Sequence, residues 1–183
     1  MSAMSALPTS PLPTSPHIPT ARLTLKSESL SVGPTDLDGA WWPRSRDLSI
    51  ELPALADVLD PLWGRITRIA VNPRNWPVIP PRIYVNGHVV RVGWFTTELD
   101  PHAILLMSFT AGSWNLLVVP PETGAPSADR LMAAAGADTG PPITASALMA
   151  AERARRGHPE AGLDGSGGAL PAPVPGHRLA TGA

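Results

Sequence analysis

The sequence predicts an α+β domain built on a mainly antiparallel sheet of about five or six strands, with two or three flanking helices. Three observations support this fold class. Segments that alternate apolar and polar residues are concentrated in the middle of the chain, and segments with helical spacing lie before and after them. Between two alternating segments stands the dipeptide Asn86-Gly87, which is typical of a tight hairpin turn.

The two ends of the chain differ in composition from its middle. Residues 1–20 hold five prolines, many serines and threonines, and no charged side chain. The last residues, 157–183, are similarly rich in glycine and proline. Such segments bury too little apolar surface to offset the entropy lost on ordering. We therefore predict disordered tails at residues 1–20 and 157–183, around a single α+β domain at residues 21–156.

The first part of the domain is predicted to form a strand, a helix and a second strand. Residues 22–26 alternate in the manner of a strand, and the apolar residues within 53–62 have helical spacing. Gly64 suits the C-terminal cap of this helix, whereas Pro61 is expected to kink the helix or to end it early. Residues 66–71 form the next predicted strand.

Two hairpins are predicted in the centre of the chain. The tight turn joins a strand at residues 82–85 to a strand at residues 88–95. A second hairpin is expected to join residues 103–109 to residues 114–119, where two prolines stop the strand.

Two further helices are expected after the hairpins. Ser127 can cap a helix that runs to Ala135, and Gly136 can end it. Pro142 can open a last helix that runs to about Arg156. The arginines at the end of this helix complement its dipole, and its weak apolar stripe leaves partner docking as an alternative role.

Composition excludes several classes of function. Fourteen basic and fifteen acidic residues give a net charge of -1, which argues against a nucleic-acid binder of the usual basic type. The absence of cysteine excludes disulfides, thiolate zinc sites and iron–sulfur clusters. No apolar run approaches the roughly 18 residues of a membrane span. We expect a soluble, cytoplasmic, bacterial protein without metal or cofactor, and without a nucleic-acid or membrane partner.

The segment TDLDGAWWPRSRD, residues 35–47, combines acidic, aromatic and basic side chains. Its Asp36-x-Asp38 pattern is reminiscent of a calcium loop, but a tryptophan and an aspartate stand where such a loop needs glycine and glutamate. Two interpretations remain. In the structural one, the acids pair with the arginines and Trp41 enters the core. In the functional one, the same side chains form a ligand site.

The arrangement of this segment depends on its backbone. If residues 41–47 are extended, Trp42, Arg44 and Arg46 share one side. These three side chains are the segment's candidate ligand-binding residues.

The predicted hairpin supplies a second group of candidates. A two-residue turn places Arg82 opposite Arg91 and Tyr84 opposite Val89 on one face. Like charges directly opposite each other destabilise a sheet, so something should offset the arginine pair. The opposite, core-facing side is expected to carry Ile83, Val85, His88, Val90, Val92 and Trp94.

Three kinds of interaction can offset the repulsion between these arginines. Carboxylates of the chain can pair with them, and Glu98, Asp100, Asp36 and Asp38 are available. A guanidinium can also stack on Tyr84. The functional option is a bound anion, because paired arginines recognise carboxylate or phosphate bidentately.

The sequence lacks the motifs of familiar enzymes. It contains no metal-binding histidine spacing, no glycine-rich phosphate loop and no Gly-x-Ser-x-Gly elbow. The six tryptophans are spread over the predicted elements, which favours core packing. Trp42 and Trp94 flank polar segments and are the ones to test for exposure.

Four strings resemble a known family. They are DGAWWPRSRDL (38–48), ELPAL (51–55), VVRVG (89–93) and LLVVPP (116–121). They are similar to an actinobacterial family catalogued as domain of unknown function 5994, and the likeness covers roughly residues 21–150. The family has no assigned activity, so the resemblance implies a compact bacterial domain and no catalytic residues.

These observations favour a non-enzymatic module that binds an acidic protein segment or a small anion. The alternative is a hydrolase-type enzyme with Asp36 or Asp38 as general base and arginines as electrostatic stabilisers. The predicted ligand-binding residues are Trp42, Arg44, Arg46, Arg82, Tyr84 and Arg91.

Overall fold

The computed structural model describes residues 20–27, 36–110, 112–139 and 141–157. The predicted tails at residues 1–20 and 157–183 lie outside these ranges, apart from their innermost residues. Within the described ranges the chain forms seven strands and three helices. They are β1 (Leu23–Leu25), β2 (Gly39–Trp41), α1 (Leu48–Trp63), β3 (Ile66–Val71), β4 (Arg82–Val85), β5 (His88–Trp94), β6 (Ala103–Ser108), β7 (Gly112–Val118), α2 (Ala125–Ala135) and α3 (Ala145–Gly157).

The seven strands form one sheet in the order β1-β2-β7-β6-β3-β5-β4. The α+β class is confirmed, but the sheet is mixed: β2 runs parallel to β7, and β3 runs parallel to β5. The expectation of a mainly antiparallel sheet of about five or six strands was therefore partly wrong. The three-residue β2 is too short to show alternation, and the pairing of β3 with β5 joins strands that are not consecutive.

Helix α1 begins earlier than the sequence predicted. Asp47 caps it by accepting a hydrogen bond from the backbone N–H of Ser49, so the helix starts at Leu48 and contains Pro53. Pro61 does not end it, since it lies in the last turn. Gly64 ends the helix as expected, with a φ of 76° that favours glycine.

One face of the sheet packs against α1. The helix buries Leu48, Leu52, Leu55 and Leu59 in this layer. Two stacked tryptophan pairs extend the layer: Trp41 with Trp76, and Trp63 with Trp114. Trp41 is only 1 % exposed, which confirms that it points into the core.

The opposite face is covered over only part of its width. Helices α2 and α3 pack on the β1, β2 and β7 side of the sheet, where Leu117, Leu131 and Leu148 are buried together. Ser127 does not cap α2 as predicted: the helix starts at Ala125 with Gly124 as its N-cap, and the Ser127 hydroxyl accepts a hydrogen bond from Arg130. No helix in the described ranges is long and apolar enough to cross a membrane.

Strands β3, β5 and β4 lie beyond these two helices. We call their uncovered surface, on the side away from α1, the open face; its exposed side chains include Arg68, Arg82, Tyr84, Val89 and Arg91.

Candidate functional site

The hairpin of β4 and β5 has the predicted register. Asn86 and Gly87 have φ angles of 43° and 85°, as a type I′ turn requires. Arg82 pairs with Arg91 across the two strands. The core face is as predicted, except that Trp94 at the end of β5 is 56 % exposed.

The structure adds a third arginine, which was not among the predicted site residues. Arg68 on β3 is the neighbour of Arg91 on the other side of β5. A register shift between Ile66 and Arg68, relative to β6, marks a β-bulge. Without the bulge these two residues would face the same way, and with it Ile66 is buried while Arg68 is exposed. The spacing of three between the buried Ile66 and Ile69 is the signal that could have revealed it.

Arg68, Arg91 and Arg82 therefore form a line across three adjacent strands, which we call the arginine row. Directly opposite residues in neighbouring strands lie about 5 Å apart at their Cβ atoms. The strand register therefore places three positively charged, exposed residues side by side on one face of the sheet. The row continues onto β6 at Met107, which is the antiparallel partner of Arg68.

No acidic side chain in the described ranges forms an ion pair with the arginine row. Asp100, which the sequence analysis offered as a partner, accepts hydrogen bonds from the backbone N–H and the hydroxyl of Ser146 instead. The pKa of the exposed Glu98 is lowered by hydrogen bonds from its own backbone N–H and from the Thr97 hydroxyl. The explanation by carboxylates of the chain was therefore wrong for the residues that the structure describes.

Apolar side chains surround the row. Tyr84 is 72 % exposed and Val89 48 % exposed. The Phe95 ring covers Gly93, at 3.4 Å from the position that a Cβ atom there would take. The open face is therefore a broad surface of positive and apolar groups.

The other predicted site residues have partners elsewhere. Arg22 stacks on Trp42 with its guanidinium carbon 3.6 Å from the ring centroid, and it donates hydrogen bonds to the carbonyls of Trp42 and Pro43. The Arg44 guanidinium donates to the carbonyl of Thr20 at 3.0 Å, and its backbone N–H donates to Glu51. These contacts fix the loop after β2 in place.

Arg46 also has partners in the chain. It forms an ion pair with Glu122 and donates a hydrogen bond to the carbonyl of Asn75 at 3.0 Å. A shallow depression of about 170 Å³ beside it is lined mainly by prolines and Trp76. Much of this volume is open to solvent and it encloses no room for a water-sized sphere, whereas small-molecule sites are concave and bury most of the ligand.

The predicted site thus divides into two places. Arg44 and Arg46 follow β2, the second strand of the sheet, whereas Arg82 and Tyr84 lie on β4, the last strand at the opposite edge. The structure brings Arg82, Tyr84 and Arg91 together and leaves Trp42, Arg44 and Arg46 apart from them.

The two aspartates do not pair with Arg44 or Arg46, contrary to the structural interpretation. Asp38 is 1 % exposed, and its carboxylate accepts the backbone N–H of Asn115 at 2.7 Å. The carbonyl of Asp36 accepts a hydrogen bond from the Asn115 side chain. Both contacts tie the segment before β2 to β7.

The structure describes two histidines, His88 and His102, and both side chains are partly buried. His88 is partly buried and bonds through Nε2 to the carbonyl of Ile66 at 2.8 Å. Burial lowers the pKa of His102. No group of three or more potential metal ligands occurs in the part of the chain that the structure describes.

Comparison with known proteins places the chain in a family. Residues 22–135 match the family of unknown function DUF5994, and the chain belongs to it. This range covers the whole sheet and α2. No curated protein and no solved structure matches the chain significantly.

Proposed function

We propose that the domain is a non-enzymatic recognition module that binds an anionic partner at the open face. The observation that supports the proposal is the arginine row: Arg68, Arg91 and Arg82 are neighbours in register, are exposed, and have no acidic partner in the described ranges. Paired guanidinium groups hold carboxylates or phosphates through two parallel hydrogen bonds. An anion would also relieve the repulsion within the row.

Protection of the sheet edge explains only part of the row. Charged residues on an edge strand discourage aggregation, and Arg82 on β4 fits that role. Arg91 and Arg68 lie on β5 and β3, which have neighbours on both sides. Edge protection gives no reason for these two charges.

The shape of the surface favours a macromolecular partner. The row crosses a broad sheet surface flanked by exposed Tyr84 and Val89. Interfaces between proteins are enriched in arginine and aromatic residues. We therefore favour an acidic protein segment over a small anion.

The hydrolase alternative has less support. A general base must reach a substrate proton, and Asp38 is buried against the backbone of Asn115. The arginine row lies on β3, β5 and β4, whereas Asp38 directly precedes β2, so the row is not placed to stabilise charge in a reaction at that carboxylate.

Calorimetric titration with a short poly-glutamate peptide tests the proposal. We expect wild type to bind and the Arg68→Gln/Arg82→Gln/Arg91→Gln variant to bind about tenfold more weakly or worse. Three exposed ion pairs of roughly 0.5 kcal/mol each give this factor. Binding should weaken as salt is raised.

A second triple variant provides the control. Arg65→Gln/Arg74→Gln/Arg156→Gln removes the same charge from exposed positions outside the row. It should keep most of the wild-type affinity. Equal losses in both variants, or no binding of the peptide by wild type at low salt, would refute the proposal.

A further inference from the structure

We propose that the partner is an extended acidic segment that pairs with β4 as an eighth strand of the sheet. This inference rests on the proposed function and specifies its partner. It follows from the position of the arginine row next to a sheet edge whose backbone is unpaired among the residues that the structure describes.

Within the described part of the chain, strand β4 has unpaired backbone groups at its outer edge. In an antiparallel pair, hydrogen-bonded and non-hydrogen-bonded residue pairs alternate. The two-residue turn makes Val85 and His88 a hydrogen-bonded pair, and the bond from the Val92 N–H to the Pro81 carbonyl, at 3.0 Å, keeps the same alternation. The N–H and C=O groups of Arg82 and Tyr84 therefore point away from β5.

These outward groups have no partner in the described ranges. Their positions in the β4–β5 pair are non-hydrogen-bonded, and no other backbone bond between described residues reaches them. The turn holds the edge in place, because the Asn86 side chain donates to the Asp57 carboxylate at 2.6 Å on α1. The outer edge of β4 can therefore form backbone hydrogen bonds with one more strand.

The opposite edge of the sheet is less available. The Thr24 side chain of β1 packs against Gly136, at the end of α2. Just beyond β1, the backbone N–H of Ser27 donates to the Asp138 carboxylate at 2.8 Å. Strand addition is therefore better supported at β4 than at β1.

The geometry of β4 specifies which residue types should alternate along the added acidic segment. A strand added beside β4 alternates its side chains between the two faces. Alternate residues lie beside Arg82 and Tyr84 on the open face, where carboxylates meet the arginine row. The residues between them lie beside the buried Ile83 and Val85, where apolar side chains fit. The expected motif alternates acidic and β-branched residues over about four or five positions, because β4 has four residues.

The probe is an acetylated and amidated peptide in which glutamates alternate with valines and threonines. Its control has the same composition with the glutamates in one block. We expect the alternating peptide to bind at least tenfold more tightly than the block peptide. On binding, hydrogen exchange of the Arg82 and Tyr84 amides should slow, because these amides become paired.

Two N-methylated versions of the alternating peptide test strand pairing directly. One carries N-methyl groups on the glutamates and the other on the residues between them. Only one set of N–H groups points at β4 in a paired strand, so one version should lose binding and the other should keep it. Which version fails reveals whether the added strand is antiparallel or parallel.

The outcomes separate this inference from the proposed function. If both methylated peptides bind equally and the triple arginine variant still loses affinity, strand addition is wrong while anion recognition stands. If no acidic peptide binds wild type, both fall. If a single-stranded oligonucleotide of equal charge binds more tightly than the alternating peptide, the assignment of a protein segment is overturned.

Discussion

Gly39 shows how a single position can control strand pairing. A Cβ atom there would lie 2.1 Å from the carbonyl oxygen of Thr24 in β1. That oxygen belongs to the backbone and cannot move without breaking the β1–β2 pairing. The glycine thus allows the close approach that makes β2 a strand.

We expect Gly39→Ala to lower the free energy of unfolding by about 3 kcal/mol or more, because the clash is with backbone. Urea denaturation measures the change. Gly157→Ala is the control, since a Cβ atom at Gly157 meets nothing within 4 Å, and it should change stability by less than ~0.5 kcal/mol. Equal effects of the two substitutions would contradict this role of Gly39.

Arg91 occupies the centre of the arginine row, with a like charge on each side. We expect Arg91→Thr to raise the free energy of unfolding by a few tenths of a kcal/mol, because it removes this repulsion and threonine suits a strand. The gain should shrink at high salt. A loss of about 1 kcal/mol or more in urea denaturation would mean that the chain itself stabilises Arg91.

At the scale of elements, α2 and α3 are joined by an ion pair whose carboxylate is buried and whose arginine side chain is 44 % exposed. Glu152 of α3 is 5 % exposed, and it accepts hydrogen bonds from Nε and Nη2 of Arg130 in α2, at 3.2 and 2.5 Å. These bonds, with a further one from Ser127, lower the pKa of Glu152 to about 2.

This lowered pKa predicts acid sensitivity. An acid whose pKa is depressed in the folded state stabilises the fold above its unfolded pKa of 4.5, and this contribution is lost as the pH falls from 4.5 through about 2. In urea denaturation at several pH values, wild type should therefore lose more stability over this range than Glu152→Gln. If the free energy of unfolding fell equally with pH in wild type and in Glu152→Gln, the predicted contribution of Glu152 would be contradicted.

Strand β3 shows why local patterns can mislead at this scale. Its bulge lets Ile66 and Ile69 face the core on the same side while Arg68 faces solvent. Simple alternation would have placed Ile66 and Arg68 together. A bulge depends on the partner strand, here β6, so the strand's own sequence only hints at it.

At the scale of the whole molecule, charge is unevenly distributed. The net charge is -1, yet the arginine row concentrates positive charge on one face. The covered half of the same sheet surface is an apolar layer under α2 and α3. Such asymmetry steers an anionic partner toward one side.

We expect the protein to be retained on a sulfonated cation-exchange column at pH 7 and low salt, despite its net negative charge. The triple variant at Arg68, Arg82 and Arg91 should elute earlier than the control triple variant at other exposed arginines. Identical elution of the two variants would show that the row does not dominate the surface potential.

The sequence by itself determined the hairpin and its register, because the Asn86-Gly87 turn is local and permits one pairing of the flanking residues. It also predicted the cap at Gly64 and the α+β class, whereas the burial of Trp41 belonged to one of two interpretations that it left open. The family match of residues 22–135 confirms the resemblance found in its motifs.

Only the tertiary structure decided which strands are neighbours. It therefore also decided which arginines lie together in one site. The pairing of β3 with β5 adds Arg68 to the row, while the position of β2 near the other edge separates Arg44 and Arg46 from it. Both follow from contacts between segments distant in the chain, and these depend on how the helices and strands pack rather than on any local pattern.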